Sequence, residues 1–170
     1  MTNEFKNWVE AITALEDGGL LKAHPCTVER MGDNYYIRSG GNRFHFRTPT
    51  DTAMGLVTRG VIKPWVGLRA SILKWTDVEP ATVVAVTETT MTLRMDKAIK
   101  VEPASGFVPG GFCGHFTNPS KWAPVEDPDG VTVKASLRKG GQWKRAGVKT
   151  NESGGTVTLG AWIKSYDDNF

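Results

Sequence analysis

Two cysteines in 170 residues are too few for a disulfide scaffold, so a reducing cytosol is the expected compartment. No window approaches the ~18 uninterrupted apolar residues of a membrane helix, and the polar start Met1–Lys6 does not read as a secretory signal. Enzyme signatures are missing as well. There is no G-x-S-x-G, no glycine-rich phosphate loop ending in Gly-Lys-Ser/Thr, no H-E-x-x-H and no C-x-x-C. These absences point away from membrane proteins, disulfide-stapled secreted domains and the commonest hydrolase and nucleotidase classes.

The composition that remains is 39% hydrophobic and 23% charged, ordinary for a folded domain and too apolar for a disordered chain. Nineteen glycines and nine prolines favour short strands joined by turns over long helices. Six tryptophans are a heavy aromatic load. The length suits one compact domain, or a core with an appendage.

The formal charge of +3 is mild, but it is unevenly distributed. Arg59, Lys63, Arg69 and Lys74 follow one another without an intervening acid. So do Lys134, Arg138, Lys139, Lys144, Arg145 and Lys149. Acids gather at Glu126, Asp127 and Asp129 and near the end at Asp167 and Asp168. A basic stretch carrying Trp143 can track a phosphate backbone or hold a compact anion. It can equally be a solvated face that keeps an edge strand from aggregating.

The pattern along the chain predicts one convincing helix, at the start. Asn3 is a candidate cap, Phe5, Trp8, Val9, Ile12 and Leu15 recur at helical spacing, and Asp17-Gly18-Gly19 stops it. Its apolar stripe is expected to dock on a β core, with a partner-binding helix as the alternative. Three short strands follow, over Cys26–Met31, Asn34–Arg38 and Arg43–Thr48, as a meander of hairpins. In the third, Phe44 and Phe46 take one face and Arg43, His45 and Arg47 the other. Thr50-Asp51-Thr52 can cap a short helix through Met54–Thr58 that ends at Gly60.

From Gly67 the pattern is β throughout. Leu68–Trp75, Ala81–Thr87 and Met91–Asp96 form a meander with Ile72, Val84 and Leu93 expected in the core. A loop over Pro103–Pro109 leads into Gly110–Phe116. Val131–Leu137 and Trp143–Ala146 pair across Lys139-Gly140-Gly141, and a last strand is Thr156–Leu159. The fold class expected is mainly β with an N-terminal helix (α+β), built on a small SH3-like barrel or a compact antiparallel sheet with decorations. Residues 1–60 read as a helix and hairpin extension, and 61–170 as the barrel-like core, the two packed as one unit.

Several short motifs combine toward a family. They are Gly67, Ala70, Ile72, Trp75-Thr76-Asp77, Pro80-Ala81-Thr82-Val83-Val84 and Asp96-Lys97-Ala98, then Asp127-Pro128-Asp129-Gly130, Leu137-Arg138-Lys139, Gly140-Gly141-Gln142-Trp143, Leu159-Gly160 and Tyr166-Asp167-Asp168-Asn169-Phe170. Over roughly residues 64–170 the chain resembles a family of small, uncharacterised phage- and prophage-associated proteins. The resemblance implies a phage or prophage origin and a host cytoplasmic setting, and it supplies no reaction.

Candidate site residues divide between structural and functional roles. His24 and Cys26, with Cys113 and His115, would make four zinc-type ligands if the two segments met, although one-residue separations are unusual for structural zinc. Cys113 beside His115 raises a thiol nucleophile, yet alternate strand positions diverge and no nearby acid orients the histidine. Trp75 can close the barrel while Asp77 accepts turn N–H groups; alternatively an exposed Trp75 stacks a base and Asp77 receives its exocyclic amine. Asp96-Lys97 is either a turn salt bridge or a phosphate contact. Gly110-Gly111 can form an anion nest or a bulge. Tyr166, Asp168 and Phe170 are expected to anchor the chain end.

Arg138 and Trp143 flank the Gly140-Gly141 turn, where a guanidinium fork and an indole face would together suit a nucleotide. His115 and Lys97 are further candidates, and Trp75 a second stacking platform. This grouping requires Trp143 to be partly exposed; otherwise it is a core residue and Arg138 a solvated one. The function expected is a non-enzymatic phage accessory protein, of an anti-defence kind, that binds and sequesters a small nucleotide-like anion. No cofactor or metal is expected. A nucleic-acid-binding module and an inhibitor of a host protein are the alternatives, an enzyme comes after both, and self-association is left open.

Overall fold

The computed structural model describes residues 1–110, 114–152, 154–166 and 168. Helix α1 spans Asn3–Thr13, and its cap is Thr2, one residue before the expected Asn3. The Thr2 hydroxyl accepts from the Phe5 N–H at 3.2 Å, satisfying one of the orphan donors of the first turn. Phe5 and Ile12 are buried and Trp8 is half-buried. The stripe meets a second helix and the Trp65 ring, which Phe5 approaches edge-on at 5.3 Å between centroids. The expected docking on β structure is therefore largely made through a helical intermediary.

Four strands follow in a simple antiparallel meander: β1 (Leu20–Ala23), β2 (Cys26–Met31), β3 (Asn34–Ser39) and β4 (Asn42–Phe46). Three were expected; β1 is four residues long and is an edge strand formed by pairing on β2, which local pattern does not reveal. Helix α2 (Pro49–Thr58) starts earlier than expected because Thr48 is its cap. The Asp51 N–H donates to the Thr48 hydroxyl, which donates back to the Asp51 carboxylate. Ala53, Leu56 and Val57 are buried. Gly55 is required where α2 crosses the meander, since a Cβ there would lie 2.6 Å from the Phe46 ring and 2.8 Å from Ile37.

The second half is a closed six-stranded antiparallel barrel, so of the two expected architectures the small barrel is the one formed. Its strands are β5 (Arg69–Leu73), β6 (Val78–Val86) and β7 (Thr90–Met95), then β12 (Thr132–Leu137), β13 (Trp143–Arg145) and β14 (Thr156–Leu159). Around the ring the order is β12-β13-β14-β5-β6-β7, with β7 pairing back to β12. Alanines at 70, 81 and 135 and the larger Ile72, Val83, Leu93, Trp143 and Val157 are all buried, the mixture of sizes by which a narrow barrel fills itself. Ile72 and Leu93 are core residues as expected, but Val84 is not. Ala81 and Val83 pair in regular register with Met95 and Leu93 and face inside, so alternation sends the next residue, Val84, to the other side, where it is half-buried.

Between β7 and β12 the chain continues as a ribbon: β8 (Lys97–Glu102), β9 (Ser105–Val108), β10 (His115–Asn118) and β11 (Lys121–Val125). β8 pairs with β11 and β9 with β10, so the ribbon prolongs the β7–β12 ladder. The stretch expected as a loop thus contains a strand. The final segment runs along this ribbon. Asp168 accepts from the Ser120 N–H and hydroxyl at 2.6 and 2.9 Å, while Phe170 lies outside the described residues. One apolar cluster joins α1, α2, the meander and the barrel. No helix among the described residues is long and apolar enough to cross a membrane.

Candidate ligand-binding site

The β12–β13 hairpin forms as expected, with Leu137 opposite Trp143, but its chemistry differs from the expectation. Trp143 is 0% exposed. Its side chain shares the barrel interior, so it cannot stack a ligand, and its indole N–H has no acceptor among the described residues. Arg138 is partly buried and donates from Nη2 to the Val148 carbonyl at 3.0 Å. The pair is an element of the scaffold. Its guanidinium is used on the connection that leaves β13.

That connection is held from below by a second cation. Lys144 is buried, and its Nζ donates to the carbonyls of Glu152 and Gly154 at 2.7 and 3.0 Å. Glu152 in turn accepts the Lys149 N–H on Oε2. The Gly155 N–H donates to Leu73 on β5. Gly155 has φ +65°, and a Cβ there would press on Val148 at 2.8 Å, so only glycine lets the connection close onto the barrel.

Between this connection and the β5–β6 turn lies a cleft of about 590 Å³, within the ordinary range for small-ligand sites. Ile72, Gly154 and Gly155 line it, and Trp75 stands at it with 84% of its surface exposed. The functional condition set for Trp75 is therefore met: it does not close the barrel. Lys74 and Arg145 bring positive charge, and Asn151 and Glu152 bring polar groups. Among the described residues Arg145 makes no side-chain hydrogen bond or ion pair. Lys74 sits 3.3 Å from Glu79, which also takes Lys164 at 2.8 Å. Burial pushes the Glu79 carboxyl up, and the two lysines outweigh it, leaving that group below its ordinary value.

Arg145 was visible in sequence only as one member of a basic run, and nothing local distinguished it from its neighbours. Asp77, for which receipt of a base amine is the alternative to a turn role, does not line the cleft; Glu152 does. Lys97 and His115 lie on the ribbon, outside this cleft. Lys97 pairs with Asp127 at 2.9 Å, not with its neighbour Asp96. Asp96 is buried and accepts from the Thr82 hydroxyl (2.6 Å), the Trp162 indole N–H (2.8 Å) and the Asp127 N–H (3.3 Å). Arg69 and Arg94 each stand 3.8 Å from it, and both also reach Glu126. Those two guanidiniums hold the Glu126 carboxyl below its ordinary value. With its hydrogen-bonding capacity filled from inside, Asp96 is a structural hub.

The zinc quartet and the thiol nucleophile both need Cys113, which lies outside the described residues, as do Gly111 and Phe112 of the glycine nest. Cys26 is buried and His24 exposed, and no group of three metal-type side chains occurs among the described residues. A second cleft of about 410 Å³ opens between the β3–β4 and β12–β13 turns. Its aromatic group, Phe44, already carries the Arg59 guanidinium over its ring at 3.7 Å, so the exposed indole favours the first cleft. No family model, curated protein or solved structure matches this chain.

Proposed function

We propose that this protein binds a small nucleotide-like anion in the cleft between the β5–β6 turn and the β13–β14 connection, and acts by holding it. The observation that carries this reading is the exposed Trp75 indole beside a guanidinium, Arg145, with no partner among the described residues. An exposed indole presents a flat face on which an aromatic ligand can stack. A base offers a flat face to the indole, and its phosphate offers a charge to Arg145 and Lys74. The loop behind is fixed in place by Lys144 and Arg138, so little ordering entropy is spent when the ligand arrives.

Among the described residues lining the cleft no nucleophile, base and orienting acid are assembled together, and the reading is capture rather than turnover. Within the phage setting implied by the resemblance of residues 64–170, capture would remove a signalling nucleotide from the host cytoplasm. The test is calorimetric titration of the full chain with nucleoside monophosphates, cyclic dinucleotides and a short single strand. Trp75→Ala and Arg145→Ala, each checked for folding, are expected to weaken nucleotide binding at least tenfold. Unchanged affinity in both variants would overturn the reading. Steep loss of affinity with salt for the single strand alone would favour a nucleic-acid module instead.

An inhibitor of a host protein is a second reading, and one observation favours it. On β8, Ile99 and Val101 share a face and are 61% and 60% exposed. Neighbouring exposed apolar side chains on a two-stranded ribbon are what a protein-binding surface would use.

A further inference from the structure

We propose that the cleft selects guanine among the bases, with Glu152 as the group that reads it; this inference rests on the nucleotide reading of the same cleft. Glu152 is the one carboxylate among the described residues lining it. Its companions there are Lys74 and Arg145, with the buried Lys144 ammonium below. A carboxylate in an anion site repels the phosphate and weakens binding, unless it meets hydrogen-bond donors on another part of the ligand.

The lone pairs needed for that are present. Oε2 takes the Lys149 N–H at 3.1 Å, and an ionised carboxylate has about four acceptor sites in all. Guanine is the common base that places two N–H donors, at N1 and N2, side by side for a carboxylate. Adenine and cytosine each set a ring nitrogen acceptor beside their amine, and uracil flanks its single N–H with two carbonyls. Each of these would turn lone pairs toward the carboxylate. Asn151 adjoins Glu152 in sequence and also lines the cleft, and its amide can donate to the guanine O6 next to N1. Acceptor and donor on the protein then match donor and acceptor on the base. Trp75 is indifferent in this choice, because every base has a stacking face.

The experiment titrates the intact protein with GMP, IMP and AMP in one buffer. IMP keeps N1–H and O6 and lacks the 2-amino group. GMP is expected to bind on the order of tenfold or more tighter than IMP and AMP, as a hydrogen bond to a charged acceptor warrants. Glu152→Gln is expected to collapse the ratio of GMP to AMP affinity toward one, because the lost carboxylate no longer favours guanine and no longer repels the phosphate of either nucleotide. The ratio of GMP to AMP affinity is the readout, so a general loosening of the connection does not mimic the effect. Equal binding of GMP, IMP and AMP by the natural protein overturns the guanine inference and leaves the nucleotide reading standing. A GMP preference that survives Glu152→Gln overturns the role of Glu152. Absence of binding by all three overturns both. Should Glu152→Gln not fold, the GMP-to-IMP comparison in the natural protein decides.

Discussion

Replacing Asp96 by alanine tests whether the buried hub holds the barrel to its final segment. The Asp96 side chain is fully buried, and its two oxygens serve three donors: Thr82 Oγ1, Trp162 Nε1 and the Asp127 N–H. Two guanidiniums, Arg69 and Arg94, lie at 3.8 Å. Deleting the carboxylate strands the three donors, while both guanidiniums keep Glu126. Each buried donor left without an acceptor costs about 1–3 kcal/mol, and removing one partner of a buried ion pair costs about 3–5 kcal/mol. The terms are not additive, because water can enter and Arg69 is partly exposed and keeps Glu126. We expect a net loss of about 3–5 kcal/mol. For a domain of this length that lowers Tm by roughly 6–20 °C. Urea unfolding followed by far-ultraviolet circular dichroism measures it. Trp162→Phe, alone and combined with Asp96→Ala, then tests the coupling, and the two changes should be clearly sub-additive. A loss below about 1 kcal/mol for Asp96→Ala, the size of an ordinary surface change, would refute the argument. So would strict additivity with Trp162→Phe.

Leu93→Ala should cost about 2–5 kcal/mol, whereas Val84→Ala should cost clearly less, because Val83 opposite Leu93 takes the inward position and Val84 the next, outward one; comparable losses in urea unfolding would show that alternation to be misassigned. Glu79, Glu126 and Asp168 have folded pKa values below their ordinary ones: burial opposes the Glu79 shift and two lysines outweigh it, Arg94 and Arg69 act on Glu126, and the Ser120 N–H acts on Asp168. The stability they contribute is therefore present above the ordinary carboxylate pKa of roughly 4 and is lost as pH falls through the lowered values. Urea midpoints should fall below about pH 5, and Glu79→Gln should flatten that fall; an unchanged slope in the variant would remove Glu79 from the account.

Local chemistry was legible in the sequence. Alternation in Met91–Met95 and the glycine turns act over a few residues, so they specify hairpins and a small barrel without reference to anything distant. The boundary errors are equally local in scale. Asn3 and Thr2 are both competent caps, and one hydroxyl reaching Phe5 decides between them. What sequence could not supply is anything that depends on which surfaces meet. Trp75 and Trp143 are the same residue type, each near basic residues and each at a strand end. Barrel closure swallows Trp143, and a turn leaves Trp75 in water. Arg138 and Arg145 belong to one charge run, yet one guanidinium supports a loop carbonyl and the other faces a cleft. Pairing of Val83 with Leu93 puts Val83 inside and its neighbour Val84 on the other side of the sheet. Burial of a side chain is set by the sum of contacts from segments far apart in the chain, and a single sequence carries no local mark of that sum.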